Sequence, residues 1–170
     1  MTLLLSRGEI AALMQPADYL EAVESAFRAL GEGRAESPVP LSIQGNGGAF
    51  HAKGAALTFD AIHASLKFNA NFPGNPEKGM PTVQGAILHC DGATGALLAI
   101  MDSIEVTLRR TAAASALAAC YLARPESSVL TLIGCGAQAS AQLDALRDVL
   151  PIATVYCADL DQARAEEFAN

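Results

Sequence analysis

Long apolar runs are missing from this 170-residue chain: no stretch reaches membrane-spanning length, although 51% of the residues are hydrophobic. The N-terminus, MTLLLSRGEI, has too short an apolar stretch and no basic lead, so it does not read as a secretory signal. These absences predict a soluble, cytoplasmic protein with no membrane partner. Basic residues are also scarce, with 11 Lys and Arg against 18 Asp and Glu, for a net charge of −7. Nucleic-acid binding draws on clustered Lys and Arg, so no nucleic-acid partner is expected, and any anionic ligand must be met by local cations. Cys90, Cys120, Cys135 and Cys157 form no C-x-x-C pair, and His51, His63 and His89 stand at no metal-ligand spacing with them. No metal is expected, and the thiols are expected to be reduced. There is no internal repeat and no low-complexity segment. The length suits one domain or one and a half, with enough apolar residues for a sizeable core.

What is present is most specific at residues 129–146, VLTLIGCGAQASAQLDAL. A short apolar run gives way to a helical pattern across a turn with two glycines, which reads as strand, turn and helix. Gly134, Gly136 and Ala139 stand in G-x-G-x-x-A spacing. The first permits a tight turn, the second lets backbone approach a pyrophosphate, and the small third allows close helix–sheet packing. The helix N-terminus offers N–H groups and a positive dipole end to phosphate. Such a motif alone is weak, but a second apolar run, residues 154–158, ends in Asp159, about where a carboxylate accepts adenosine ribose hydroxyls. The context favours dinucleotide binding over an ordinary β-α-β unit whose Asp159 caps the next helix.

Before that stretch, Ser6 and Glu9 form a capping box ahead of a short helix. Pro16 suits the first turn of a second helix running to about Leu30. Residues 38–53 read as a hairpin about Gly45, Asn46, Gly47 and Gly48. In the next strand Ile62, Ala64, Leu66 and Phe68 point one way, expected to be the core, and His63, Ser65, Lys67 and Asn69 the other. A lysine on a polar strand face is by pattern alone a solvated one. Residues 71–79 form a Pro-, Gly- and Asn-rich loop, long enough to shape a pocket or lid. Residues 82–90 and 96–101 are strands about a hairpin turn. Residues 107–124 are predicted to form a helix, with Thr107 or Ser103 near its cap and small residues on every side of its middle. Arg109 and Arg110 then fall in its first turn, where the dipole disfavours cations. They read equally as an anion site and as a surface pair offset by Asp102 and Glu105.

Four segments in this order, SLKFNANFPGNPEKGMPTVQGAIL (residues 65–88), DGATGALLAIMDS (91–103), TLRRTAAASALAACYLAR (107–124) and TLIGCGAQA (131–139), make the chain resemble the ornithine cyclodeaminase/mu-crystallin family over nearly its whole length. Asn69 to Pro73 and Asp102-Ser103 look closest to the branch that reduces cyclic imino acids such as 1-pyrroline-2-carboxylate. The resemblance implies an α/β fold: an N-terminal α+β substrate-binding and dimerisation domain over residues 1–124, then the first β-α-β-α part of a Rossmann domain over residues 125–170. It implies an oxidoreductase or cyclodeaminase using NAD, with NADP possible, on a small amino or cyclic imino acid, in a homodimer. By the family pattern, Lys67 reaches the substrate near its carboxylate and reacting carbon, and Arg110 binds that carboxylate beside the nicotinamide, so both are the catalytic candidates. Thr82, Arg110 and Thr111 lie against the cofactor. Gly134, Gly136, Ala137 and Gln138 serve the pyrophosphate, and Asp159 holds the ribose. With Asp159 present and no arginine at 160–162, NAD is expected over NADP, with Arg164, a turn further on, working against that preference.

Two features depart from the pattern. The family often carries a carboxylate-binding arginine near the first strand, and residues 39–43 hold none, so Lys53 is the candidate for that place. Family members also continue through the rest of the Rossmann sheet, so residues 1–170 read as truncated and are expected to be a poor catalyst alone. A non-catalytic nicotinamide or ligand binder of the mu-crystallin kind is the alternative, and an assembly module without ligand a third.

Overall fold

The computed structural model describes residues 1–170 and resolves into two compact units, one of Met1–Gln15 with Ser25–Thr107 and one of Pro16–Glu24 with Leu108–Asn170. Two helices, α2 (Pro16–Gly31) and α3 (Ser103–Leu122), run from one unit into the other. The division by role at residue 124 is a proposal distinct from this division by compactness.

The first unit is built on a seven-stranded sheet: β1 (Leu3–Leu5), β2 (Ala35–Glu36), β3 (Leu41–Gly45), β4 (Gly48–Thr58), β5 (Ile62–Asn71), β6 (Val83–Asp91) and β7 (Leu97–Asp102). Its order is β1-β7-β6-β5-β4-β2, with β3 also on β4; every pairing is antiparallel except β1 with β7. The expected hairpins at 45–48 and 91–96 are present. Asp91 organises the second, its Oδ1 accepting from the N–H groups of Ala93 and Thr94 and from the Thr94 hydroxyl. Helix α1 (Arg7–Leu13) opens with the expected capping box of Ser6 and Glu9.

The expected core face of β5 is not buried. Leu66 and Phe68 are each 43% exposed, and on β3 Leu41 and Ile43 are exposed beside them, whereas Asn69 on the opposite face is 8% exposed. The alternation is as anticipated, but elements of this unit cover the polar face, where Lys67 meets Thr107 of α3. The apolar face is left open.

Helix α3 begins at Ser103 rather than Thr107 because Asp102 caps it, its Oδ1 accepting from the Ile104 N–H at 2.8 Å. Arg109 and Arg110 therefore lie about two turns in, beyond the reach of the N-terminal dipole, and the penalty expected for them there does not arise.

In the second unit Ala112, Ala113 and Ala116 of α3 are buried, as the small-residue pattern anticipated. Tyr121 donates to Glu24 Oε1 at 2.9 Å, joining α3 to the start of α2. Then follow β8 (Val129–Ile133), α4 (Ala137–Arg147), β9 (Thr154–Ala158) and α5 (Gln162–Ala169). Strands β8 and β9 pair in parallel, Val129 with Thr154 through Ile133 with Ala158. A helix connecting two parallel strands is the β-α-β unit read from the sequence.

Candidate dinucleotide turn and lysine face

The glycine turn of the second unit shows two different uses of glycine. Gly134 has φ +98°, a conformation strained for any residue with a Cβ. Gly136, the N-cap of α4, has an ordinary φ of −82°, and a Cβ built there would meet no atom within 4 Å. Neither backbone conformation nor internal packing calls for glycine at 136, so its smallness fits close approach by a ligand. It also caps α4 with no side chain. The leading turn, Ala137 and Gln138, thus presents backbone rather than a capping hydroxyl or carboxylate to an incoming anion. Ala139 is buried, as close packing of the helix requires.

Asp159, just past β9, turns toward the same glycines. Its Oδ2 accepts from the Cys135 N–H at 2.7 Å and its Oδ1 from the Asp161 N–H at 2.9 Å. The N–H of Asp161 first, and that of Cys135 next, hold its carboxyl below the usual aspartate range. The cap of α5 is Asp161, whose Oδ1 accepts from the Ala163 N–H, so Asp159 is not the helix cap of the simpler reading. Arg164, one turn into α5, brings Nη1 to 3.7 Å from Asp159 Oδ1. Arg164, the residue expected to work against the NAD preference, thus lies beside the carboxylate that sets it. Burial first, then the neighbouring Cys157 and Asp159, push the Cys135 thiol up, so it stays neutral. A recess of about 550 Å³ opens here, lined by Cys135, Gly136, Ala137, Ser140 and Arg164 among others.

Arg110 and Thr111 belong to this unit too. Arg110 is exposed, yet the surrounding chain desolvates its guanidinium enough to lower its pKa from the ordinary value. The Thr111 carbonyl accepts from the Ser115 hydroxyl at 3.5 Å.

The other candidates sit in the first unit. Lys67 on β5 is half-buried, and its Nζ donates to Thr107 Oγ1 at 3.3 Å. Thr107 was anticipated only as a possible helix cap; α3 starts a turn earlier, and the Thr107 hydroxyl accepts from the lysine. Lys53 on β4 lies directly opposite Lys67 in the register. On the same face His51 opposes Asn69, and Ser65 opposes His89, the Ser65 hydroxyl lying 3.0 Å from His89 Nδ1. The His63 and His89 rings stack at 5.4 Å. The buried amide oxygen of Asn69 meets no hydrogen-bond donor. Thr82, just before β6, accepts from the Phe72 N–H and so closes the 72–82 loop, which folds about Asn75 through its bond to the Pro81 carbonyl. No group of three or more His, Cys, Asp or Glu could hold a metal, and no helix is long and apolar enough to cross a membrane.

The family model for the ornithine cyclodeaminase/mu-crystallin family matches residues 1–170. The chain belongs to this family. An alanine dehydrogenase of Archaeoglobus fulgidus is 40% identical over 169 residues, covering 99% of this chain and 52% of that protein. An L-lysine cyclodeaminase of Streptomyces rapamycinicus is 34% identical over 158 residues, 87% of this chain and 44% of that one. Among solved structures, an archaeal alanine dehydrogenase dimer with bound NAD matches with a TM-score of 0.93 at 40% identity, over 99% of this chain and 52% of that chain. The Thermococcus litoralis Δ1-pyrroline-2-carboxylate reductase, in complex with NADH and L-proline, also matches with a TM-score of 0.93, at 36% identity over 98% of this chain and 52% of that one. The chain thus spans about half the length of the curated relatives it matches. The family fold is α/β, and the residues here correspond to an N-terminal domain followed by part of a Rossmann-like sheet.

Proposed function

We propose that this family member serves an NAD(H)-dependent oxidoreductase of a small amino or cyclic imino acid. The observation that carries the cofactor half of the reading is Gly136, whose lack of a side chain has no internal cause. Gly134, Gly136, Ala137 and Gln138 would receive the pyrophosphate, and Asp159 the ribose hydroxyls, with Thr82, Arg110 and Thr111 toward the nicotinamide. When bound, the nicotinamide supplies the hydride donor or acceptor. The chain's own residues do the rest. The planar guanidinium of Arg110 suits a substrate carboxylate with two parallel hydrogen bonds. The Lys67 ammonium, steadied by Thr107, stabilises negative charge or shuttles a proton near the reacting carbon. Lys53 stands where the arginine common in the family is missing.

The amine and imine substrates of the dehydrogenase and reductase relatives support this class, as do the NAD and NADH held by those neighbours. The dimer of the alanine dehydrogenase neighbour, together with the open apolar face of Leu41, Ile43, Leu66 and Phe68, supports a homodimer. NAD over NADP follows from the fixed Asp159 carboxylate, which repels a 2′-phosphate, with Arg164 working against that preference. Tighter binding of NADP(H) in a titration overturns it, and Asp159→Ser should narrow the difference.

The test is substrate-dependent oxidation of NADH with Δ1-pyrroline-2-carboxylate and with imines of simple α-keto acids, using a protein of the relatives' length and residues 1–170 in parallel. Turnover in the longer form supports the reading. Cofactor binding without turnover by any such substrate replaces it with the non-catalytic binder.

A further inference from the structure

Asn69 of β5 is 8% exposed, and its amide oxygen is buried without a hydrogen-bond donor. Its partners in the register are His51 on β4 and Gly85 on β6, and neither donates to it. An acceptor buried in this way gives up its hydration and receives nothing in return, a cost that a leucine of the same shape would avoid. The sheet nevertheless keeps a place for the amide. Gly85 has no positive φ to account for it, yet a Cβ there would lie 2.5 Å from Asn69 Oδ1 and 2.1 Å from the Phe68 carbonyl oxygen. Glycine at 85 is what lets the asparagine stand against β6. Lys67 stands two residues back on the same face, about 7 Å along the strand.

We propose that Asn69 is a substrate-binding residue whose amide oxygen accepts a hydrogen bond from the α-nitrogen of the amino or imino acid. The inference rests on the oxidoreductase reading above and adds a specificity-determining residue to its site. An ammonium or protonated imine brings the N–H donor that the protein itself does not supply, and a carboxylate brings none. The reacting carbon carries that nitrogen, so a residue neighbouring Lys67 on the same face is placed to meet it. Asparagine χ2 is broad and roughly two-fold, so the amide turns its oxygen out to a ligand without moving the strand. A site that pairs with a substrate N–H rejects an analogue lacking it, because the buried acceptor is then left unpaired.

The experiment is a calorimetric titration of a protein of the relatives' length, held with NADH so that the amines pass no hydride. The probes are L-proline and L-alanine, each against the acid of the same skeleton without nitrogen, cyclopentanecarboxylate and propionate. Asn69→Leu and Asn69→Ala should each weaken binding of the preferred amino acid at least about tenfold and leave its nitrogen-free counterpart within about twofold. Circular dichroism melts show which variant keeps the fold, and the titration of that variant decides. Unchanged affinity for the amino acid, equal losses for the two members of a pair, binding of no probe by the parent, or loss of the fold in both variants overturns the proposal. The oxidoreductase reading fails by a different result, the lack of hydride transfer with any amino or imino acid.

Discussion

At position 136 the chain has a glycine that its own backbone does not require, while two residues earlier it has one that the backbone does. Alanine substitutions should separate these uses. Gly134→Ala must force a side chain into φ +98°, and should cost about 1–3 kcal/mol in a denaturant melt. Gly136→Ala should change stability by no more than about 1 kcal/mol, since the site is open and the φ ordinary, yet weaken NAD binding about tenfold or more in a protein of the relatives' length. Unchanged NAD affinity in Gly136→Ala would remove the main support for the cofactor site. For the substrate, Lys67→Ala and Arg110→Ala should each lower turnover about 100-fold or more without unfolding. Arg110→Lys should also be poor, because a point charge does not reproduce a planar two-bond grip. Near-normal turnover in either alanine variant would show that the family role does not transfer to that position. Asp159 adds a pH dependence. Its folded pKa is lowered, so the stability it contributes is present above the ordinary aspartate value of 3.8 and is lost as pH falls through the lower folded value. Thermal melts should show that acid loss reduced in Asp159→Asn, and an identical acid profile would mean that the two N–H bonds to this carboxylate do not matter to stability.

Among the elements, the ones legible in the sequence are those whose signals are local. The capping box at Ser6, the hairpin turns and the strand-turn-helix at 129–146 each draw on residues close together in the chain, and each formed as expected. The strand Leu3–Leu5 was not legible because its partner, β7, lies more than ninety residues away, and three leucines carry no period of their own. The start of α3 was misplaced by a turn because Thr107 and Ser103 were read as the candidate caps and Asp102 was not. The D-x-x-E spacing of Asp102 and Glu105 was the signal that could have decided it. This shift altered the site as well as the helix, since it put Thr107 within the helix and beside Lys67 and withdrew the dipole argument about Arg110. The position of Arg164 was legible, since a helical turn after Asp161 brings it back toward Asp159. If Asp102 is the cap, Asp102→Ala should destabilise the protein by about 1 kcal/mol, and Asp102→Asn by much less. Equal effects from the two substitutions would argue that the lost charge, and not the hydrogen bond to Ile104, is what the helix depends on.

Two of the exposed apolar surfaces of the molecule differ in kind. The first unit exposes the sheet face of Leu41, Ile43, Leu66 and Phe68, a broad patch that suits a second copy of the chain. The second unit has only β8 and β9 in its sheet, with Ile133 88% exposed, and parallel strands are ordinarily covered on both faces. In a doubly wound sheet the first strand is central and the nicotinamide half of the cofactor lies over strands beyond these two. The polypeptide 1–170 is therefore expected to associate, to bind NAD weakly through the adenosine side, and to show no measurable turnover. The two surfaces can be separated by sedimentation. Leu66→Asp with Phe68→Asp should abolish a concentration-dependent dimer, whereas Ile133→Asp should reduce larger, open-ended assemblies that use strand edges and leave the dimer in place. Calorimetry with NAD and a hydride-transfer assay on the same samples complete the test. Tight NAD binding with turnover by residues 1–170 would mean that two strands suffice for the cofactor, and the argument from sheet order would have to be given up.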